Sequence, residues 1–139
     1  YRPSELEAAL GLVQLGKLDA MLARRRELVA RYRAALAATP ETGAIPFAGE
    51  DHLGSCHILP LVTGSEEARD AVRAAAAERG VQTSVHYQPV HLFRVFQPQP
   101  SLPVSEDYAR REVTLPLYPG MSDADVDRVV ALLPAPSLA

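Results

Sequence analysis

The sequence predicts an α+β domain: one long N-terminal helix, then a short three-stranded sheet flanked by helices. Three observations predict it. Apolar residues recur at helical spacing from Leu6 to Leu36. Short β-prone runs stand at Cys56–Val62, Val81–Val85 and Thr114–Leu117. Serines suited to helix caps open the stretches between and after those runs, at Ser65, Ser105 and Ser122. Helices on one face of a small sheet make a two-layer domain.

The first helix starts at a capping box, Ser4-Glu5-Leu6-Glu7, in which the Ser4 hydroxyl serves the Glu7 amide and the Glu7 carboxylate reaches back. Pro40 stops the helix after about Ala38, so residues 1–38 form a long connecting helix. Gly11 and Gly16 lie inside it, each costing about 1 kcal/mol relative to Ala, which close packing against a neighbour would justify. Its apolar stripe needs a cover, so the chain is expected to associate. Arg24, Arg25, Arg26 and Arg31 read as a solvated face with cations near the helix C-terminus.

Gly43, Pro46, Gly49 and Gly54 mark Glu41–Gly54 as a loop. Cys56–Val62 is apolar enough for a buried strand. Ser65 caps a second helix that Gly80 ends, and Val81–Val85 is the second strand. Pro98, Pro100 and Pro103 make the following stretch irregular. Ser105 caps a short helix through Tyr108 and Arg111. The Thr114–Leu117 strand is stopped by Pro119-Gly120, and Ser122 starts a last helix through Leu133. Pro134 and Pro136 close it, giving one domain over 1–134 and a tail over 135–139.

The bulk properties exclude several classes. A chain of 139 residues suits one domain with a buried core. A net charge of −3 offers no electrostatic case for nucleic acid or an anionic membrane. No stretch approaches the roughly 20 apolar residues that span a bilayer. The single cysteine, Cys56, has no internal disulfide partner and favours a reducing compartment, the cytoplasm. The sequence opens without Met, directly ahead of a helix cap and with no leader pattern, and reads as a piece of a longer chain.

The best polar cluster is His86, Tyr87 and His91, with Arg94 nearby, on a loop stiffened by Pro89. His and Tyr can bond a phosphate or a sugar hydroxyl. Histidines satisfied by local backbone carbonyls are the other reading, and both stay open. A zinc site is disfavoured, because His86 and His91 stand five apart with no Cys or acidic ligand between them. Cys56 reads as an inert core thiol. Lys17, the only lysine, reads as a surface residue. An imine-forming lysine must be desolvated or lie beside a cation. The residues alone therefore describe a domain that lends binding groups and lacks a catalytic centre.

Three stretches resemble a known family. Tyr1-Arg2-Pro3-Ser4-Glu5 through Gln14-Leu15, Val85-His86-Tyr87-Gln88-Pro89-Val90-His91, and Leu115-Pro116-Leu117-Tyr118-Pro119-Gly120-Met121-Ser122 are similar, in that order, to segments of the DegT/StrS-type sugar aminotransferases. The resemblance implies the C-terminal small domain of a fold-type I, homodimeric enzyme, with the large cofactor-binding domain absent. It implies pyridoxal 5′-phosphate as cofactor, glutamate as amino donor and a nucleotide-linked keto sugar as acceptor. The lysine that carries the cofactor would lie upstream, so no catalytic or cofactor-binding residue is assigned here and the piece alone is expected to be inactive. Arg2, His86, Tyr87 and His91 match substrate-facing positions. Arg2 would reach the partner's active site, with a salt bridge at the helix start as its alternative. Tyr118 and Pro119 are left as turn formers. Two rivals remain: a sugar dehydratase of the same family, in which histidine replaces that lysine, and a non-catalytic effector-binding or dimerisation module.

Overall fold

The structure is a computed structural model, and it describes residues 2–47, 54–96 and 98–133. The Tyr1 end of the first motif, Gly49 of the expected loop, Pro134 and the 135–139 tail lie outside the described residues.

The first helix forms as expected at its start and departs from expectation in the middle. The Ser4 hydroxyl accepts from the Glu7 amide at 3.3 Å, and the Glu7 carboxylate takes the Ser4 amide at 2.7 Å. The single long helix is in fact two. α1 spans Glu5–Leu15 and α2 spans Leu18–Leu36, parted by a turn at Gly16-Lys17. The Lys17 amide bonds the Gln14 carbonyl at 3.0 Å, three residues back, so the four-residue repeat lapses there. Gly16 therefore belongs to a break, not to a close helix contact. Around Gly11 there is open space.

The expected third strand is not there as a strand. β1 (Leu59–Val62) and β2 (Glu112–Leu115) form a two-stranded antiparallel sheet, with Leu59 opposite Leu115 and Leu61 opposite Val113. The Val81–Val85 run contributes one isolated bridge, Ser84 to Thr114, with backbone bonds of 3.2 and 2.8 Å. Local chemistry explains why it goes no further. The next antiparallel partner on one side is Pro116, which has no N–H to give. On the other side the His86 amide is taken by the Glu112 carboxylate at 2.9 Å, not by a backbone carbonyl. At the run's start the Val81 amide closes the preceding helix onto the Ala76 carbonyl at 2.9 Å.

β1 is shorter than the Cys56–Val62 run. Cys56 has a φ of 47°, which turns the chain, and Arg25 takes the carbonyls of Cys56 and His57, each at 3.0 Å. On the outer edge of β1, Ala44 bridges Val62 through two 2.9 Å bonds.

α3 (Glu66–Glu78) is capped by Ser65 and ended by Gly80 at φ 70°, with the paired Gly80–Ala77 and Val81–Ala76 bonds of a left-handed helix stop. α4 spans Pro103–Arg111, so Ser105 sits inside it and Pro103 opens it. α5 spans Asp123–Val130 behind a complete Ser122–Asp125 capping box.

The core lies between the sheet, α2, α3 and α5. Leu28, Val29, Tyr32 and Leu36 from α2 meet Leu59, Leu61, Val113 and Leu115 from the sheet and Val126 and Val129 from α5. Cys56 packs at its margin. The α2 arginines are not simply a solvated face. Arg24 bonds the Met121 carbonyl and Asp123, each at 2.8 Å, and Arg31 bonds Asp127 at 2.6 Å, tying α2 to α5. Arg26 reaches the Gly54 carbonyl at 3.4 Å. α1 by contrast buries nothing, and Leu6, Leu10, Leu12, Val13 and Leu15 are all exposed. Among the described residues no helix is long and apolar enough to cross a membrane.

Candidate functional site

The bridge between Ser84 and Thr114 forms the floor of a cleft of about 330 Å³. His57, Ser84, His86, Thr114, Pro116 and Tyr118 line it. A larger hollow of about 520 Å³ lies between α2 and the segment after Gly54. It is mostly apolar, and the Ile45 and Pro46 carbonyls at its wall are already held by Arg33 at 3.1 and 3.0 Å. Convergent polar side chains make the smaller cleft the better binding site.

His86 is the best-anchored polar group there. Its backbone amide donates to Glu112 Oε2 at 2.9 Å. Its Nδ1 lies 2.8 Å from Thr114 Oγ1 and 3.4 Å from Ser84 Oγ. Thr114 Oγ1 in turn donates to Glu112 Oε1. Glu112 is fully buried, although a charged side chain is rarely so unless paired. Residues 112 and 114 share one face of β2 because side chains repeat every second residue, and the bridge at Ser84 brings His86 beside them.

The other expected site residues divide. Tyr87 is exposed and sets its ring edge-on to His86, with centroids 4.6 Å apart. His91 points elsewhere. Its Nε2 lies 3.0 Å from Glu106 Oε1, and the same oxygen accepts from the Leu102 amide at 2.8 Å and the Ser101 hydroxyl at 3.0 Å. The His91 bond first, then those two, hold the Glu106 carboxyl down to about 2. His91 thus fastens the loop onto the start of α4 through the Glu106 carboxylate. Arg2 is exposed ahead of α1, and no ion pair joins it to a described residue. Arg94 is exposed in a short 3₁₀ turn.

Sequence reasoning missed Glu112 and Thr114, and it left Tyr118, which lines the cleft, as a turn former. The signal for the first two was present: a polar residue at every second position of an otherwise apolar Glu-Val-Thr-Leu run. Among the described residues no cluster of His, Cys, Asp or Glu could hold a metal ion. Lys17 stands exposed on the turn between α1 and α2 and lines neither cleft.

Comparison with known proteins gives the family. The chain is 37% identical over 126 residues to a dTDP-4-dehydro-2,3,6-trideoxy-D-glucose 4-aminotransferase of Saccharopolyspora spinosa, covering 91% of this chain and 32% of that protein. It is 38% identical over 136 residues to the spore coat polysaccharide biosynthesis protein SpsC of Bacillus subtilis, covering 91% and 34%. Among solved structures it is similar to S. venezuelae DesV in complex with a ketimine intermediate, with a TM-score of 0.82, 33% identity, and 94% and 36% coverage. The chain thus spans about a third of the length of the curated relatives it matches. The profile of the DegT/DnrJ/EryC1/StrS aminotransferase family matches residues 1–134, and with those relatives it establishes that the chain belongs to that family.

Proposed function

We propose that this chain is the C-terminal small domain of a pyridoxal-phosphate-dependent enzyme that moves an amino group from glutamate to a nucleotide-linked keto sugar. The observation that carries the reading is the cleft at His86, built by family-matching residues and lacking an amine suited to the cofactor. The cofactor supplies the electron sink when bound, and its attachment falls to residues other than these. What this chain does is bind and enclose. His86 and Tyr87 offer donors and acceptors to sugar hydroxyls, His91 closes their loop through its 3.0 Å contact with Glu106, and Arg2 offers a guanidinium fork to the pyrophosphate.

The exposed apolar stripe of α1 supports an assembled protein, with the stripe covered by the large domain and by a second copy in a homodimer. The lone Cys56 supports a cytoplasmic location. The test is a transamination assay with glutamate and a keto-sugar nucleotide, on this chain alone and on the chain joined to its large domain. Turnover is expected only from the joined protein. Turnover by the 139-residue chain would overturn the reading.

A further inference from the structure

We infer that Glu112 and Thr114 are positioning residues that hold His86 as its Nδ1–H tautomer and so present Nε2 at the cleft as a hydrogen-bond acceptor. A threonine hydroxyl has one proton to give and lone pairs to receive with. The Thr114 proton goes to Glu112 Oε1, a carboxylate acceptor and therefore the stronger claimant. Thr114 Oγ1 is also 2.8 Å from His86 Nδ1, and with its own proton committed it can only accept there. Nδ1 must then carry the imidazole proton, which leaves a bare lone pair on Nε2. Which nitrogen is protonated follows from the bond the other makes.

The surroundings agree. Glu112 is fully buried, and its second oxygen is occupied by the His86 amide at 2.9 Å, so the carboxylate is fixed at both ends. Ser84 Oγ is the competing group. At 3.4 Å from Nδ1 and exposed, it has water as an alternative partner and does not displace Thr114. Tyr87 meets the imidazole by its ring and not by its hydroxyl. Among the described residues no group bonds His86 Nε2. An acceptor at that place selects a ligand that donates, such as a sugar hydroxyl. That last use rests on the aminotransferase reading; the tautomer does not.

The experiment is nitrogen NMR of the full-length protein labelled with 15N-histidine, free of substrate and held above the usual imidazole range of about 6.5. The His86 signals are assigned by their loss in His86→Gln. The expected result is a protonated, pyrrole-type Nδ1 and a bare, pyridine-type Nε2. Thr114→Val removes the hydroxyl at nearly constant shape and is expected to shift His86 toward the Nε2–H form, while Thr114→Ser keeps the native pattern. A wild-type His86 protonated at Nε2 would overturn the inference, and so would a Thr114→Val protein with unchanged signals. If Thr114→Val does not fold, the wild-type assignment alone decides. The readout needs no turnover, so its failure is distinct from failure of the aminotransferase reading.

Discussion

Glu112 accepts the backbone amide of His86 at 2.9 Å, at the point where a third strand would otherwise continue. One buried carboxylate thereby occupies the amide that would extend the Ser84–Thr114 bridge, and it fixes the loop that carries the candidate site. Glu112→Ala should leave the His86 amide and the Thr114 hydroxyl without their buried partner, and it should open a cavity. A loss of about 3 kcal/mol in unfolding free energy is expected from urea titration. A loss below about 0.5 kcal/mol would mean that the carboxylate does not anchor the loop.

Gly43 supports the other edge of the sheet. Its φ is 147°, and a Cβ there would stand 2.7 Å from the Val62 carbonyl oxygen, which is itself bonded to Ala44. Gly43→Ala must therefore move backbone, at a cost of about 2 kcal/mol. Gly11→Ala meets open space in a helix and should stabilise by about 1 kcal/mol, subject to whatever covers α1. Paired thermal melts check the opposite signs.

Acid should loosen the His91 loop through Glu106. Its carboxyl is held from the ordinary 4.5 down to about 2, chiefly by His91. A depressed carboxylate contributes stability above its unfolded value, and that contribution is lost as pH falls through the folded one. The loss therefore runs between about 4.5 and 2. Glu106→Gln should flatten that part of the stability-against-pH curve and lower stability near neutrality. An unchanged acid limb would show that the Glu106 contacts do not form in solution.

How much of this was legible in the sequence follows from the reach of each interaction. The capping box at Ser4 spans four residues and was readable in full, and Ser122 was readable as a helix start. So was the stop at Gly80. The break at Gly16-Lys17 was visible only as two costly glycines, because nothing in the local pattern says which of them ends a helix. Strand pairing was not legible. The fate of Val81–Val85 depends on Pro116 and Glu112, about thirty residues away in sequence. The α2 arginines failed for the same reason, since their carbonyl and carboxylate partners come from distant segments. His86 was singled out because its type and motif stand out; the Glu112 contact to its amide was missed because a glutamate in a strand reads as surface.

The exposed stripe on α1 yields a further expectation. Leu6 and Leu10 are 81% and 60% exposed, and Val13 lies along the same helix at 56%. In the full-length protein, Leu6→Glu with Leu10→Glu should weaken self-association at least tenfold, read by sedimentation equilibrium. An unaltered dimer would place its interface elsewhere.

The proposed division of labour, with the cofactor held by an amine outside this chain, is tested most directly by Lys17→Ala in the full-length protein. Glutamate-dependent amination of a keto-sugar nucleotide should proceed with kcat/KM within about twofold of wild type, because Lys17 sits exposed on a turn away from the His86 cleft. A loss of activity of a thousandfold or more in a folded Lys17→Ala protein would contradict that division.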